Sequence, residues 1–139
     1  MDELVAWYRQ QLDDDEREAK ESAKESTRHL AGADPEVVGH WHVVERAATG
    51  TFVATRDQWG RVAEVFPTYG GAHADHIARH GPAAVLADIE AKRAVLDYYE
   101  HIENSTLSNP SEYNTAGAMI DMLARGYRHR PGWKQEWEA

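Results

Sequence analysis

A change in the spacing of apolar residues divides the chain into segments of different secondary structure. Residues 41–66 alternate apolar and polar side chains with a period of two, whereas the segments on either side repeat every three to four residues. Strand-like runs cover residues 41–45, 51–55 and 61–66, and the stretches between them end in Gly50 and Gly60. Short strands joined by glycine-containing turns are typical of an antiparallel meander. The pattern therefore predicts a three-stranded antiparallel meander over residues 41–66.

Helical periodicity accounts for most of the remaining chain. It predicts a helical arm over residues 1–30, a helix, a turn and a long helix over 73–103, a C-terminal helix over 110–127, and an aromatic tail over 128–139. Gly81 and Pro82 mark the start of the long helix, and Asn109 and Pro110 are start signals for the C-terminal one. Because a three-stranded sheet needs a covered apolar face, we expect an α+β fold, a small three-stranded antiparallel meander packed against three main helices. The long helix is expected to cover the sheet, within a single domain over residues 1–139.

Composition argues against several functional classes. Lys and Arg total 15 against 24 for Asp and Glu, a formal charge of −9, which disfavours direct binding to nucleic acid or to an anionic membrane. The sequence has no cysteine, which excludes disulfides, thiolate nucleophiles and zinc sites built on cysteine. No apolar run approaches the roughly 20 residues that span a bilayer. The N-terminus is acidic and unlike a signal peptide, so we expect a cytoplasmic location.

Histidine is the residue type whose spacing could support chemistry, with eight in the chain. His73, His76 and His80 lie at i, i+3 and i+7, along one side of a helix if that helix is continuous. Three imidazole nitrogens could bind zinc and leave a coordination position open for a hydrolytic water. In the alternative interpretation, His76 and His80 pack where the long helix begins. We assign no catalytic residue and no cofactor, with zinc as the alternative.

The long helix and the C-terminal helix carry more apolar surface than one small sheet can cover. We therefore expect a homo-oligomer whose interface uses apolar residues of both helices: Ile89, Val95, Leu96, Tyr99, Ile102, Met119, Ile120 and Leu123. Burial of these side chains within one chain would remove the main support for that interface. Trp133 and Trp137 in the tail form either an intramolecular latch or part of a protein-binding patch.

The segment HIARHGPAAVL at residues 76–86 resembles a recurring segment of short actinobacterial and actinophage proteins that form a family of unknown function. The similarity extends to the N-terminal stretch around Trp7, to Trp41, and to the motif HRPGW at residues 129–133. Members of that family usually have Asp at the position of Gly81 and a shorter link between the first helix and Trp41. The resemblance implies an accessory protein of an actinobacterium or its phage, and it transfers no catalytic residue.

These observations predict a non-enzymatic protein that acts by protein–protein interaction, as a homo-oligomer and with a host protein as a further candidate partner. Two alternatives stay open. One is a metal-binding protein or metal-dependent hydrolase that uses His73, His76 and His80. The other is an acidic decoy in which residues 13–25 inhibit a host nucleic-acid-binding protein, although the basic residues interspersed there dilute the negative field.

Overall fold

The computed structural model describes residues 1–46, 50–68, 70–107 and 109–138. Its elements in chain order are α1 (Asp2–Glu25), α2 (Pro35–Val38), β1 (Trp41–Arg46), β2 (Gly50–Arg56), β3 (Val62–Pro67), α3 (Gly71–Arg79), α4 (Pro82–Glu103), α5 (Pro110–Arg125) and a 3₁₀ turn (Gln135–Glu138). The predicted α+β class with a three-stranded antiparallel sheet is confirmed. Contacts within the chain cluster into two compact units, a division that the periodicity does not predict. One unit comprises Met1–Asp14 and Ile89–Ala139, and the other comprises Asp15–Asp88.

Helix ends follow local hydrogen-bonding chemistry. The Asn109 side chain accepts a hydrogen bond from the backbone N–H of Glu112 at 2.9 Å, which starts α5 at the predicted residue. In contrast, α1 ends at Glu25 instead of reaching residue 30. There the hydroxyl of Thr27 donates to the carbonyl oxygen of Lys24 at 2.6 Å, and the backbone N–H of Thr27 bonds to the same carbonyl. Such short-range bonds compete with the helical pattern and end the helix.

The unit Asp15–Asp88 contains the sheet, with strand order β1-β2-β3. Residues 52–55 of the central strand are all buried, so this strand is covered on both faces. The helix contacts of the sheet come from α3, which touches β1 and β2, and from α2, which touches β2. The predicted cover by the long helix is therefore not confirmed. In the described structure α3 follows β3 within a few residues and contacts β1 and β2.

The turn between β2 and β3 is fixed by the buried carboxylate of Asp57. This carboxylate accepts hydrogen bonds from the backbone N–H groups of Trp59 at 3.0 Å and Arg61 at 2.8 Å, and from Arg61 Nε at 2.5 Å. Burial by itself would raise the pKa of Asp57, but the bonds from Arg61 and Trp59 outweigh it and hold that pKa below its ordinary value. Arg61 Nη2 also donates to the carbonyl oxygen of Ala31 at 2.6 Å, which ties the turn to the segment after α1.

In the unit of Met1–Asp14 and Ile89–Ala139, apolar side chains of α1, α4 and α5 are buried: Leu4, Val5, Tyr8, Leu12, Ile89, Leu96, Tyr99, Ile102, Ala116, Ile120 and Ala124. Polar contacts also link these helices, among them a pair between Arg93 and Asp13 at 2.6 Å. Arg9 pairs with Glu100 at 2.6 Å, and the hydroxyls of Tyr99 and Tyr113 are 2.9 Å apart. Burial is the main reason why the pKa of Tyr99 is raised. The apolar stripes of the sequence thus supply a core within this unit.

Candidate functional site

The three candidate metal ligands are divided between helix α3 and the residue that follows it. His73 and His76 belong to α3, which ends at Arg79, while His80 follows as its C-terminal cap. The helix that carries His73 and His76 therefore ends one residue before His80. All three side chains are exposed. Among residues 1–46, 50–68, 70–107 and 109–138, no group of three His, Asp or Glu side chains is placed to hold a metal ion.

His76 and His80 contact each other in a way that suits the packing interpretation. Their ring centroids are 4.5 Å apart, and His80 Nδ1 lies 2.7 Å from the carbonyl oxygen of His76. Because a carbonyl oxygen only accepts, this geometry places a proton on His80 Nδ1. The bond occupies a backbone carbonyl at the end of α3, where helical partners run out. The pair therefore helps to end one helix just before the next begins.

Most of the predicted interface is buried inside a single chain. Five of its members have side chains with 4% exposure or less: Ile89, Leu96, Tyr99, Ile102 and Ile120. Val95 and Leu123 are half-buried, and Met119 is 43% exposed. The buried members are core residues of the unit that contains them, so they offer no surface to a partner. Of the predicted set, Met119 is the residue that stays largely open to solvent.

A second methionine extends the exposed surface around Met119. The solvent-facing positions of α5 from 114 to 122 form a strip that we name the outer face of α5: Asn114, Thr115, Ala118, Met119 and Met122. None of these side chains is charged, and Met122 is 71% exposed. At 100° per residue they occupy an arc of about 140° on the helix. The predicted interface includes Met119 but not Met122, although both side chains are exposed.

The C-terminal tryptophans pack within their own unit. Trp133 and Trp137 lie 5.4 and 5.5 Å from Trp7, measured between ring centroids, and 5.3 Å from each other. Trp7 Nε1 donates to the carbonyl oxygen of Pro131 at 3.1 Å. Of the two interpretations left open by the sequence, the structure shows the intramolecular latch. The aromatic tail therefore contributes to the fold of this unit.

A cavity of about 340 Å³ lies in the unit Asp15–Asp88, and we name it the Trp41 cavity. Its apolar lining comes from Trp41 on β1 and from Ala63 and Val65 on β3, all half-buried. The indole of Trp41 is held close to the backbone at Gly81, where a Cβ atom would lie 3.1 Å from Trp41 Cγ. Only glycine permits that approach without displacing the ring.

The polar lining of the Trp41 cavity comes mainly from the end of α1 and the turn after it. These residues are Ser22, Glu25, Ser26, Arg28 and His29, and Glu64 adds a carboxylate from β3. Ser26 Oγ donates to the carbonyl oxygen of Ser22 at 3.0 Å. Sequence reasoning singled out Trp41 but missed the other lining residues. Their spacing carries no motif, and only the tertiary fold brings the end of α1 to β3.

The acidic segment of the decoy hypothesis forms the middle and end of α1. Ala19 and Ala23 are buried, and Lys20 pairs with Glu16 at 2.8 Å. One side of this segment therefore packs in the fold, and part of its charge is paired. In the part of the chain that the structure describes, no helix has the length and apolar character needed to cross a membrane.

Fold and surface together define a small α+β protein with an uncharged helix face and a polar cavity. Over residues 1–139 the chain matches DUF6221, a family of unknown function, and it belongs to that family. The resemblance to a family of unknown function is confirmed at that level. No curated protein and no solved structure matches the chain.

Proposed function

We propose that this protein acts by protein–protein interaction, without catalysis of its own, and that its first partner is a second copy of the chain. The observation that supports this proposal is the outer face of α5, where exposed side chains from Asn114 to Met122 are all uncharged. Charged residues make up 28% of the chain, whereas this strip has none and includes two exposed methionines. Depletion of charge and enrichment in methionine are typical of interface cores.

Charge favours a second copy that meets its partner face to face through α5. Each chain carries a formal charge of −9, so two copies repel each other wherever acidic surfaces come together. The outer face of α5 avoids that repulsion because it presents no charge, and a two-fold axis would place the same strip on both sides. Beside the strip, Asp121 is paired with Arg125 at 2.9 Å, which neutralises the charge of that carboxylate.

The size of the strip favours a weak dimer. From Asn114 to Met122 it extends about 12 Å along the helix at 1.5 Å per residue. This is small for a standard interface of about 800 Å² per partner. We therefore expect dimerisation in the micromolar range. In this proposal the protein serves as a cytoplasmic accessory protein of an actinobacterium or its phage, and a host protein would be the further partner.

Sedimentation velocity between 5 and 500 μM tests the proposal with two matched variants. Met122→Glu places a carboxylate on the strip in both copies, whereas Leu107→Glu adds the same charge at a side chain that is 94% exposed and lies outside α5. We expect the unaltered chain and Leu107→Glu to dimerise with rising concentration, and Met122→Glu to stay monomeric. Circular dichroism of both variants checks that the fold is intact. A monomeric unaltered chain at 500 μM, or equal loss of dimer in both variants, would refute the proposal.

A further inference from the structure

The Trp41 cavity has the size and lining of a small-molecule site, and we propose that it binds a small organic cation with an apolar ring, of the arylalkylammonium class. The proposal rests on an indole, two carboxylates and an acceptor hydroxyl that line one cavity of about 340 Å³ in the unit Asp15–Asp88. This volume lies at the small end of the range of about 300–1,000 Å³ that is typical of ligand pockets. A single ring with a short amine-bearing chain would fit within it.

The apolar part of the ligand would lie against Trp41, Ala63 and Val65. These half-buried side chains give the cavity an aromatic and aliphatic surface. An indole attracts both apolar rings and cations, because its π-face carries partial negative charge. The backbone at Gly81 supports one side of the Trp41 side chain, because a Cβ atom there would lie 3.1 Å from Trp41 Cγ.

The hydroxyl of Ser26 indicates which polar group the cavity would accept. Its proton is already donated to the carbonyl oxygen of Ser22 at 3.0 Å, so its remaining capacity is to accept a hydrogen bond. An ammonium group carries donors and no acceptor, and it therefore complements this hydroxyl. A carboxylate ligand would find no donor at that oxygen.

Charge in the lining points the same way. Glu25 and Glu64 contribute two carboxylates, while Arg28 contributes one guanidinium and His29 is counted neutral. Carboxylates thus outnumber permanent cations in the lining, within a chain whose formal charge is −9. Both the local and the overall charge favour a cationic ligand over an anionic one.

Three probes with the same ring and different charge test this assignment: phenethylamine, phenylacetate and phenylalanine. Their binding to the full chain is measured by calorimetry and by the shift of the Trp41 indole N–H signal in NMR spectra, identified with a Trp41→Phe variant. We expect phenethylamine to bind about tenfold more tightly than phenylacetate, because carboxylates outnumber permanent cations in the lining. Equal or tighter binding of phenylacetate or phenylalanine, or no shift of the Trp41 signal, would overturn the proposal.

Variants with equal charge changes separate a specific site from general attraction to an acidic protein. Glu64→Gln should weaken phenethylamine binding about two- to fivefold, as expected for loss of one exposed charge contact. Glu18→Gln makes the same change at an exposed residue of α1 that is not part of the cavity lining, and it should leave binding unchanged. Equal weakening by both variants would show non-specific attraction and refute the site. Sedimentation of Met122→Glu decides the proposed dimer independently of this result.

Discussion

Replacement of Gly132 by alanine is expected to destabilise the unit that contains the tryptophan latch. Gly132 has a φ of +88°, in the left-handed region, and a Cβ atom there would lie 2.7 Å from Nε1 and 3.1 Å from Cδ1 of Trp7. The indole of Trp7 has little room to retreat. It packs against Trp133 and Trp137 and donates a hydrogen bond to the carbonyl oxygen of Pro131.

Two effects contribute to the expected loss, and a second glycine separates them. An alanine in the left-handed region costs about 1–2 kcal/mol, and forcing extra volume into a packed site costs about 1–3 kcal/mol. Gly132→Ala should therefore lower the free energy of unfolding by about 2–5 kcal/mol. Gly60 has a φ of +80° with open space around its Cβ position, so Gly60→Ala should show the backbone cost alone, about 1–2 kcal/mol.

Urea unfolding at 25 °C, followed by tryptophan fluorescence and far-ultraviolet circular dichroism, measures both losses. Coincident transitions from the two probes would justify a two-state treatment of each variant. Gly132→Ala should lose more stability than Gly60→Ala, and it should also change the native tryptophan emission. If the two variants lose the same amount, contact with Trp7 contributes nothing, and the latch does not constrain position 132.

Three further predictions concern single side chains. Burial, with Arg56 adding to it, lowers the pKa of His42, so the folded state resists its protonation. Stability should therefore fall as the pH drops below about 6.5. In the His42→Leu variant the urea midpoint should change less between pH 7.5 and 5.5 than it does in the unaltered chain. Asp57→Asn should lower Tm at pH 7 by weakening the contact with Arg61. That difference should shrink below about pH 4, because the depressed pKa of Asp57 means that its stabilisation is lost as the carboxylate protonates. Addition of zinc should not change the Tm of the unaltered chain or that of the His76→Ala variant. A zinc-dependent rise in the unaltered chain alone would contradict the absence of a metal-binding group among the described residues.

Features that depend on a few neighbouring residues could be predicted from the sequence. The strands lie within one or two residues of the predicted runs, because period-two alternation and the turn glycines are local signals. Gly50 and Gly60 both have a φ of +80°, a conformation that glycine adopts readily. Likewise, Asn109 caps α5 as its position before Pro110 suggested.

Features that depend on which surfaces meet were predicted less well. The periodicity of α4 showed that one side would be buried, but it did not show that α3 would cover the sheet. The Trp41 cavity combines residues from α1, β1 and β3 that share no spacing rule. The histidines were predicted to share one side of a helix if that helix was continuous, whereas α3 ends at Arg79 and His80 is its C-terminal cap.

Apolar periodicity identifies side chains that leave water, but it does not say whether the covering surface belongs to the same chain. In α4 the apolar stripe of Ile89 and Leu96 is used inside the chain, and the exposed side carries Asp88, Glu90 and Asp97. A second copy of a chain with a formal charge of −9 would be repelled from such a surface. The outer face of α5 lacks that barrier because its exposed positions from 114 to 122 are uncharged. For an acidic chain of this kind, missing charge on an exposed helix face is therefore a better guide to self-association than an apolar stripe, which the core can use first.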